Sequence, residues 1–224
     1  MPKAYFSDEM FGFLRQLKRN NRREWFLKNK ERYERVLRQP CLHFIGDFQF
    51  KLRQVSPWLK ADPKPNGGSL LRIYRDIRFS ADKTPYKTNV GMHFPHAGSK
   101  ENIHGASFYL HLEPGDESFL AGGCWHPDPR SLAKIRDAIA WKSDDWKRAT
   151  RGLKLSGDCL ARPPRGYSAD HPMVEDLKRK DFIALIEFSD GQVCSPRFMS
   201  DVVKSCRKLS PLVRFLCQAV RLRF

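Results

Sequence analysis

The sequence predicts an α+β domain: an antiparallel sheet of about four to six strands with N-terminal and C-terminal helices packed on one face. Three observations predict it. Apolar residues recur at helical spacing through residues 1–60 and again after 128. Between 69 and 125 the pattern changes to alternation, and turn residues separate the alternating runs. A chain of 224 residues with a 41% apolar fraction and sixteen Phe can bury a real core, which excludes wholesale disorder. The expected organisation is one domain over 1–224: helices in 1–60, the sheet in 69–125, then helices with one short strand in 128–224.

Taken in order, Ser7 before Asp8 and Glu9 starts a first helix whose stripe is Met10, Phe11, Phe13, Leu14 and Leu17. Asn20-Asn21 breaks it. A second helix is expected from Arg22 to Arg38 with Trp25, Phe26, Tyr33, Val36 and Leu37 inward. Pro40 should interrupt it before a third stretch carrying Leu42, Ile45, Phe48, Leu52 and Val55. Residues 61–68, with two prolines and Gly67-Gly68, read as a loop. Strands follow at Leu70 to Asp76, Thr88 to Phe94, Ser107 to Glu113 and Glu117 to Cys124, the last two joined by Pro114-Gly115-Asp116. Their alternation predicts one face on helices and a polar opposite face. Asp128 and Pro129 open a helix over 129–140, and a shorter one lies near Asp144 to Arg151. Residues 161–172 form a loop, Phe182 to Phe188 a strand, and two helices run from Pro196 to the end.

The charge is lopsided, with 41 basic against 25 acidic side chains. Residues 1–60 hold 14 basic and 6 acidic groups, while 101–128 hold 5 acidic and no basic ones. A positive field favours anionic partners such as nucleotides, phosphorylated metabolites or nucleic acid, although no nucleic-acid motif is present. No run approaches the ~20 apolar residues of a membrane span. The start, Met1-Pro2-Lys3-Ala4-Tyr5-Phe6-Ser7-Asp8, has no apolar signal core, so a cytoplasmic protein is expected. The six cysteines form no Cys-x-x-Cys pair and read as small apolar residues. His93 and His96, three apart on a strand, face opposite ways; a metal site built with His104 or His111 is the alternative left open, and no metal site is assigned.

The unusual chemistry is concentrated in Arg72-Ile73-Tyr74-Arg75-Asp76-Ile77-Arg78-Phe79-Ser80-Ala81-Asp82-Lys83-Thr84-Pro85-Tyr86-Lys87. On an extended backbone Arg72, Tyr74 and Asp76 share one face, and Ile73 and Arg75 the other. An inward guanidinium requires a carboxylate or carbonyls, for which Asp76 and Asp82 are placed. Two readings stand: an ion-pair network fixing the crossover between strands, or a site gripping an oxyanion through paired hydrogen bonds. In the second, Arg72, Arg75, Arg78, Lys83, Tyr86 and Lys87 bind, and Asp76 or Asp82 is the candidate base. Ser80 has no nearby histidine, and there is no glycine-rich phosphate loop.

The block Arg72, Arg75, Asp76, Arg78, Phe79, then Asp82, Lys83 and Tyr86, resembles the Arg-x-x-Arg-Asp-x-Arg-Phe and Asp-Lys-x-x-Tyr elements of a widespread bacterial conserved-hypothetical family, a domain of unknown function. Asn20-Asn21 with Trp25-Phe26, Gly123-Cys124-Trp125 with Pro127, and Pro164-Arg165-Gly166-Tyr167 with His171-Pro172 are similar too. His126 stands where the family more commonly has an apolar residue. The resemblance spans nearly the whole chain and implies no settled activity, substrate or cofactor.

Three secondary candidates complete the reading. Asn21, Trp25, Asn29 and Tyr33 are four apart on one helical face, lining a pocket or forming a packing seam. Tyr109 and His111 share the polar face of a central strand, where His111 suits acid-base work near neutral pH. His171 sits in the Pro163 to Pro172 loop. The leading expectation is a polar pocket for an anionic, phosphate-bearing small molecule. An enzyme acting on that ligand with an Asp base comes second, and a nucleic-acid binder using basic helices third. The residues specify neither a cofactor nor an oligomeric state.

Overall fold

A computed structural model describes residues 4–98 and 105–224. Helix α1 (Asp8–Arg19) buries the predicted stripe, and Ser7 ends the preceding strand of chain without a side-chain cap. Helices α2 (Arg23–Lys28) and α3 (Lys30–Tyr33) follow, separated at Asn29, whose amide bonds back to the Trp25 carbonyl at 2.9 Å. The predicted helix Arg22 to Arg38 is therefore two pieces.

The predicted break at Pro40 is absent. From Lys30 the chain stays helical through a π-helical turn (Glu34–Arg38) into α4 (Gln39–Val55). Pro40 lacks the N–H an α-helix would use there, and its ring would press on the Val36 carbonyl. The wider π turn just before it removes that conflict and keeps Val36, Leu37 and Cys41 inward.

The sheet contains β1 (Val90–Phe94), β2 (Ser107–Leu112), β3 (Ser118–Cys124), a short β4 (Leu155–Ser156) and β5 (Phe182–Phe188). It is wholly antiparallel, in the order β1-β2-β3-β5-β4. Leu70 to Asp76 makes no regular strand. Leu70 bridges Met92 and Tyr74 bridges Tyr86 as isolated pairs, because Pro85 has no N–H with which to continue a ladder. The two-residue β4 carries too short a pattern to be read from sequence.

Helices α5 (Pro129–Trp141) and α6 (Ser143–Thr150) lie between β3 and β4. Asp128 caps α5 by accepting from the Arg130 and Ser131 amides, as predicted. A single turn, α7 (Val174–Leu177), precedes β5, and another, α8 (Asp190–Val193), follows it. In place of two terminal helices there is one, α9 (Phe198–Ala219), running through Pro211. Pro211 sits on its exposed side, and Ser210 Oγ donates to the Cys206 carbonyl at 2.7 Å.

One face of the sheet carries Met92, Phe94, Phe108, Leu110, Leu112 and Leu120, all buried, against α9 and α4. Gly122 permits the close approach: a Cβ there would meet Leu209 of α9 at 2.9 Å and Phe108 at 3.0 Å. The opposite face corrects the expectation of a polar surface. Register places His93, Ser107, Tyr109 and His111 there, together with Phe119, Ala121, Ile183 and Leu185. β3 is apolar on both sides and β5 nearly so, with Glu187 opposite Phe119 as its one charge, so this face is mixed. Among the described residues no helix is long and apolar enough to cross a membrane.

Candidate functional site

Residues 70–89 form an irregular arm along the outer edge of β1. The Leu71 amide donates to Gly91 O at 2.9 Å and the His93 amide to Ser69 O at 2.8 Å. The arm then pairs with itself: Arg75 N to Pro85 O at 2.9 Å and Lys87 N to Ile73 O at 2.7 Å. Two anchors hold it to the body. Ile73 and Tyr86 are buried, the Tyr86 ring stacked on Phe26 with centroids 4.2 Å apart. Asn21 mimics a strand, giving its amide to Tyr86 O at 2.8 Å and accepting the Tyr86 N–H at 3.0 Å.

The alternation read from sequence holds on this arm. Ile73 is buried and Arg75 half-buried, while Arg72, Tyr74 and Asp76 are exposed. Arg75 binds the Asp82 carboxylate, Thr84 Oγ1 at 2.7 Å and, more loosely, Ser80 Oγ at 3.4 Å. Arg78 grips Asp76 through Nε and Nη2 at 3.0 and 2.7 Å. Lys83 donates to the Ile77 carbonyl at 2.9 Å. The bond from Arg78 holds the Asp76 carboxyl down at about 2. The Thr84 backbone N–H, with Arg75 behind it, does the same for Asp82, also about 2.

A cavity of about 520 Å³ opens between this arm, the end of α1 and the start of β1. Its walls bring together Lys18, Asn21, Arg75, Asp82, Lys87 and Asn89. Inside it the two carboxylates, Asp76 and Asp82, are already matched by Arg78 and Arg75, which leaves the ammonium groups of Lys18 and Lys87 in excess. Lys87 is half-buried, and among the described residues its ammonium has no hydrogen bond or ion pair. Burial first, and then the Arg72 guanidinium, push its pKa below the ordinary lysine value. Lys18 and Asn89 were missed by the sequence reading. Lys18 looks like any cation in a helix's last turn, and only the fold brings it against residues seventy positions away.

The three arginines do not converge. Arg72 lines a separate hollow of about 550 Å³ with Lys30, Tyr33, Arg38 and the exposed Tyr74. Arg78 projects into solvent, its side chain 75% exposed. Trp25 packs on Phe13 with centroids 5.6 Å apart, and Asn29 serves its own helix junction.

His111 and Tyr109 stand behind the cavity wall. His111 Nε2 pairs with Glu113 at 2.9 Å, and its ring stacks on Phe119 at 4.7 Å. With Nε2 so occupied, Nδ1 takes the amide of Asn89 at 3.2 Å and lies 3.4 Å from the Tyr109 hydroxyl. His111 thus orients Asn89, which does reach the cavity. Burial and the nearby Glu113 charge push the Tyr109 hydroxyl up to about 12. His96 is turned away, bonding the Arg223 carbonyl at 2.7 Å, and His171 Nδ1 accepts the Met173 amide within its loop. His104 lies outside the described residues, and among those described no group of three metal-ligating side chains assembles.

No curated protein and no solved structure matches the chain. A family model described as a conserved hypothetical protein (DUF2461) matches residues 9–215. That span takes in α1, the arm, the whole sheet and most of α9, and the chain belongs to the DUF2461 conserved hypothetical protein family.

Proposed function

We propose that the protein binds an anionic, phosphate-bearing small molecule in the cavity between the arm and α1. Lys87 and Lys18 supply the charge, and Asn21, Thr88 and Asn89 supply neutral hydrogen-bonding groups. The observation that carries this reading is Lys87, half-buried and unpaired among the described residues beside a cavity whose two carboxylates, Asp76 and Asp82, are already bonded to Arg78 and Arg75. A cation removed from water without a partner is unfavourable unless something else fills that role. An arriving oxyanion relieves the penalty and gains charge-assisted hydrogen bonds. The arginines act one step back: Arg75 and Arg78 fix the arm, and Arg72 adds to the positive field.

A reaction with Asp76 or Asp82 as base is the weaker reading. Carboxyl groups held at about 2 are poor proton acceptors at neutral pH. Thermal melting with inorganic phosphate, pyrophosphate and a nucleoside monophosphate at low salt tests the proposal. At least one should raise the melting temperature progressively with its concentration. A melting point indifferent to all three overturns it.

A further inference from the structure

The open face of the sheet carries a second cavity, of about 400 Å³, whose chemistry is the opposite of the first. Leu71, Phe119, Trp125, Ile183 and Leu185 line it, and among the described residues no Lys, Arg, Asp or Glu does. Trp125 and Leu185 are 51% and 38% exposed and frame its mouth. At one end His93 Nε2 lies 3.0 Å from Ser107 Oγ. The pair is set by the ladder. His93 of β1 is opposite Tyr109 of β2, so Ser107, two residues earlier on the same face, is its diagonal neighbour. Both residues stand on paired strands, which hold side chains more firmly than loops do.

We propose that Ser107 is a nucleophile activated by His93, and that the cavity takes neutral esters with an apolar acyl group. This is independent of anion binding at Lys87. With the imidazole proton on Nδ1, Nε2 accepts the Ser107 proton as Oγ attacks the acyl carbonyl carbon. The carbonyl π electrons move to oxygen, and a C–O bond to Oγ forms. Collapse restores the carbonyl and breaks the bond to the leaving alkoxide, which takes the proton from His93. Water then cleaves the acyl-serine with the same histidine as base, returning the free hydroxyl and a carboxylic acid. A nucleophile within hydrogen-bond reach of a base in an apolar hollow is the arrangement this chemistry requires. The pair supplies attack and proton transfer, so activated donors are the appropriate probes.

The test treats the full chain with an alkyl fluorophosphonate and, separately, with p-nitrophenyl butyrate. Peptide mass mapping should find the phosphonyl group on Ser107, and p-nitrophenolate should appear in a burst near one equivalent. Ser107→Ala should abolish both. His93→Gln, which keeps a hydrogen-bonding partner for Oγ but no base, should slow labelling by about 100-fold or more. The wild-type adduct tests the nucleophile whatever the folding of the variants, and the His93→Gln rate tests its activation. An unlabelled protein, an adduct on another residue, or a Ser107 adduct forming equally fast in a folded His93→Gln protein overturns the proposal.

Discussion

Replacing Lys87 by Met separates binding from folding. The substitution keeps most of the methylene stem that crosses the arm and removes the charge. In the folded chain the Lys87 pKa lies below its ordinary 10.5. A lysine with a depressed folded-state pKa destabilises the fold while charged in both states, and that penalty fades as pH rises through the folded value toward the unfolded one. Without ligand, Lys87→Met should therefore unfold at pH 7 no more easily than wild type, to within about 0.5 kcal/mol, or less easily. Any advantage should close as pH rises toward 10.5. Binding should respond in the other direction. A hydrogen bond to a charged group contributes about 1.5–3 kcal/mol, so losing it weakens anion affinity roughly tenfold to 150-fold. Lys18 is exposed, and screening leaves it only a small share. Calorimetric titration with pyrophosphate, paired with urea unfolding of the free protein, reads both quantities. Affinity retained within about twofold refutes the assignment of Lys87. A loss of several kcal/mol in the free protein refutes the premise that the ammonium is unsatisfied.

Other expectations follow from the same contacts. Gly91→Ala places a Cβ 2.6 Å from the Tyr109 hydroxyl and 3.0 Å from its ring. The ring must swing away, costing about 1–3 kcal/mol in a denaturant melt. Asp181 is buried and accepts the amides of His126 at 2.7 Å and Asp158 at 2.8 Å. Asp181→Ala orphans both donors and should destabilise by about 2–4 kcal/mol by chemical unfolding. If the basic helices bind nucleic acid, filter-binding affinity must fall steeply with salt. Absence of retention at low salt removes that function.

The fold was legible where local pattern and tertiary environment agree. β1 and β2 were visible because alternation matches a sheet with one buried face, β3 as the partner across the Pro114-Gly115-Asp116 turn, β5 as a short apolar run, and α5 because Asp128 and Pro129 mark its start. The failures have local causes. Pro40 and Pro211 look like breakers, yet a π turn accommodates one and an exposed helix side the other. The 70–76 segment has the alternation of a strand but faces a partner stretch containing Pro85. At the site, the sequence identified the charged segment and its counter-ions, Asp76 and Asp82, because ions close in sequence meet locally. It did not reveal Lys18, Asn89, or Ser107 beside His93. Those meetings depend on how α1 crosses the arm and on strand register, neither of which leaves a local trace.

The two arginine pairs on the arm look alike in sequence and should differ in consequence. Arg78 and Asp76 are two residues apart, with side chains 75% and 47% exposed. Water competes for both, and Arg78→Met should leave the urea midpoint nearly unchanged. Arg75 is 28% exposed and ties Asp82, Thr84 and Ser80 across the loop. Arg75→Met strips an exposed carboxylate and a half-buried hydroxyl of their donor at once and should lower the urea midpoint more than Arg78→Met does. It should also weaken pyrophosphate binding, since Arg75 lines the Lys87 cavity, whereas Arg78→Met should weaken it less, by unmasking the Asp76 charge where water screens it. Equal losses at the two positions would mean that the arm is not held in the way described. A binding defect confined to Arg78→Met would move the anion to the solvent-facing side of the arm, away from Lys87. The unequal burial of the two arginines is therefore what assigns one to holding the cavity wall and the other to the surface.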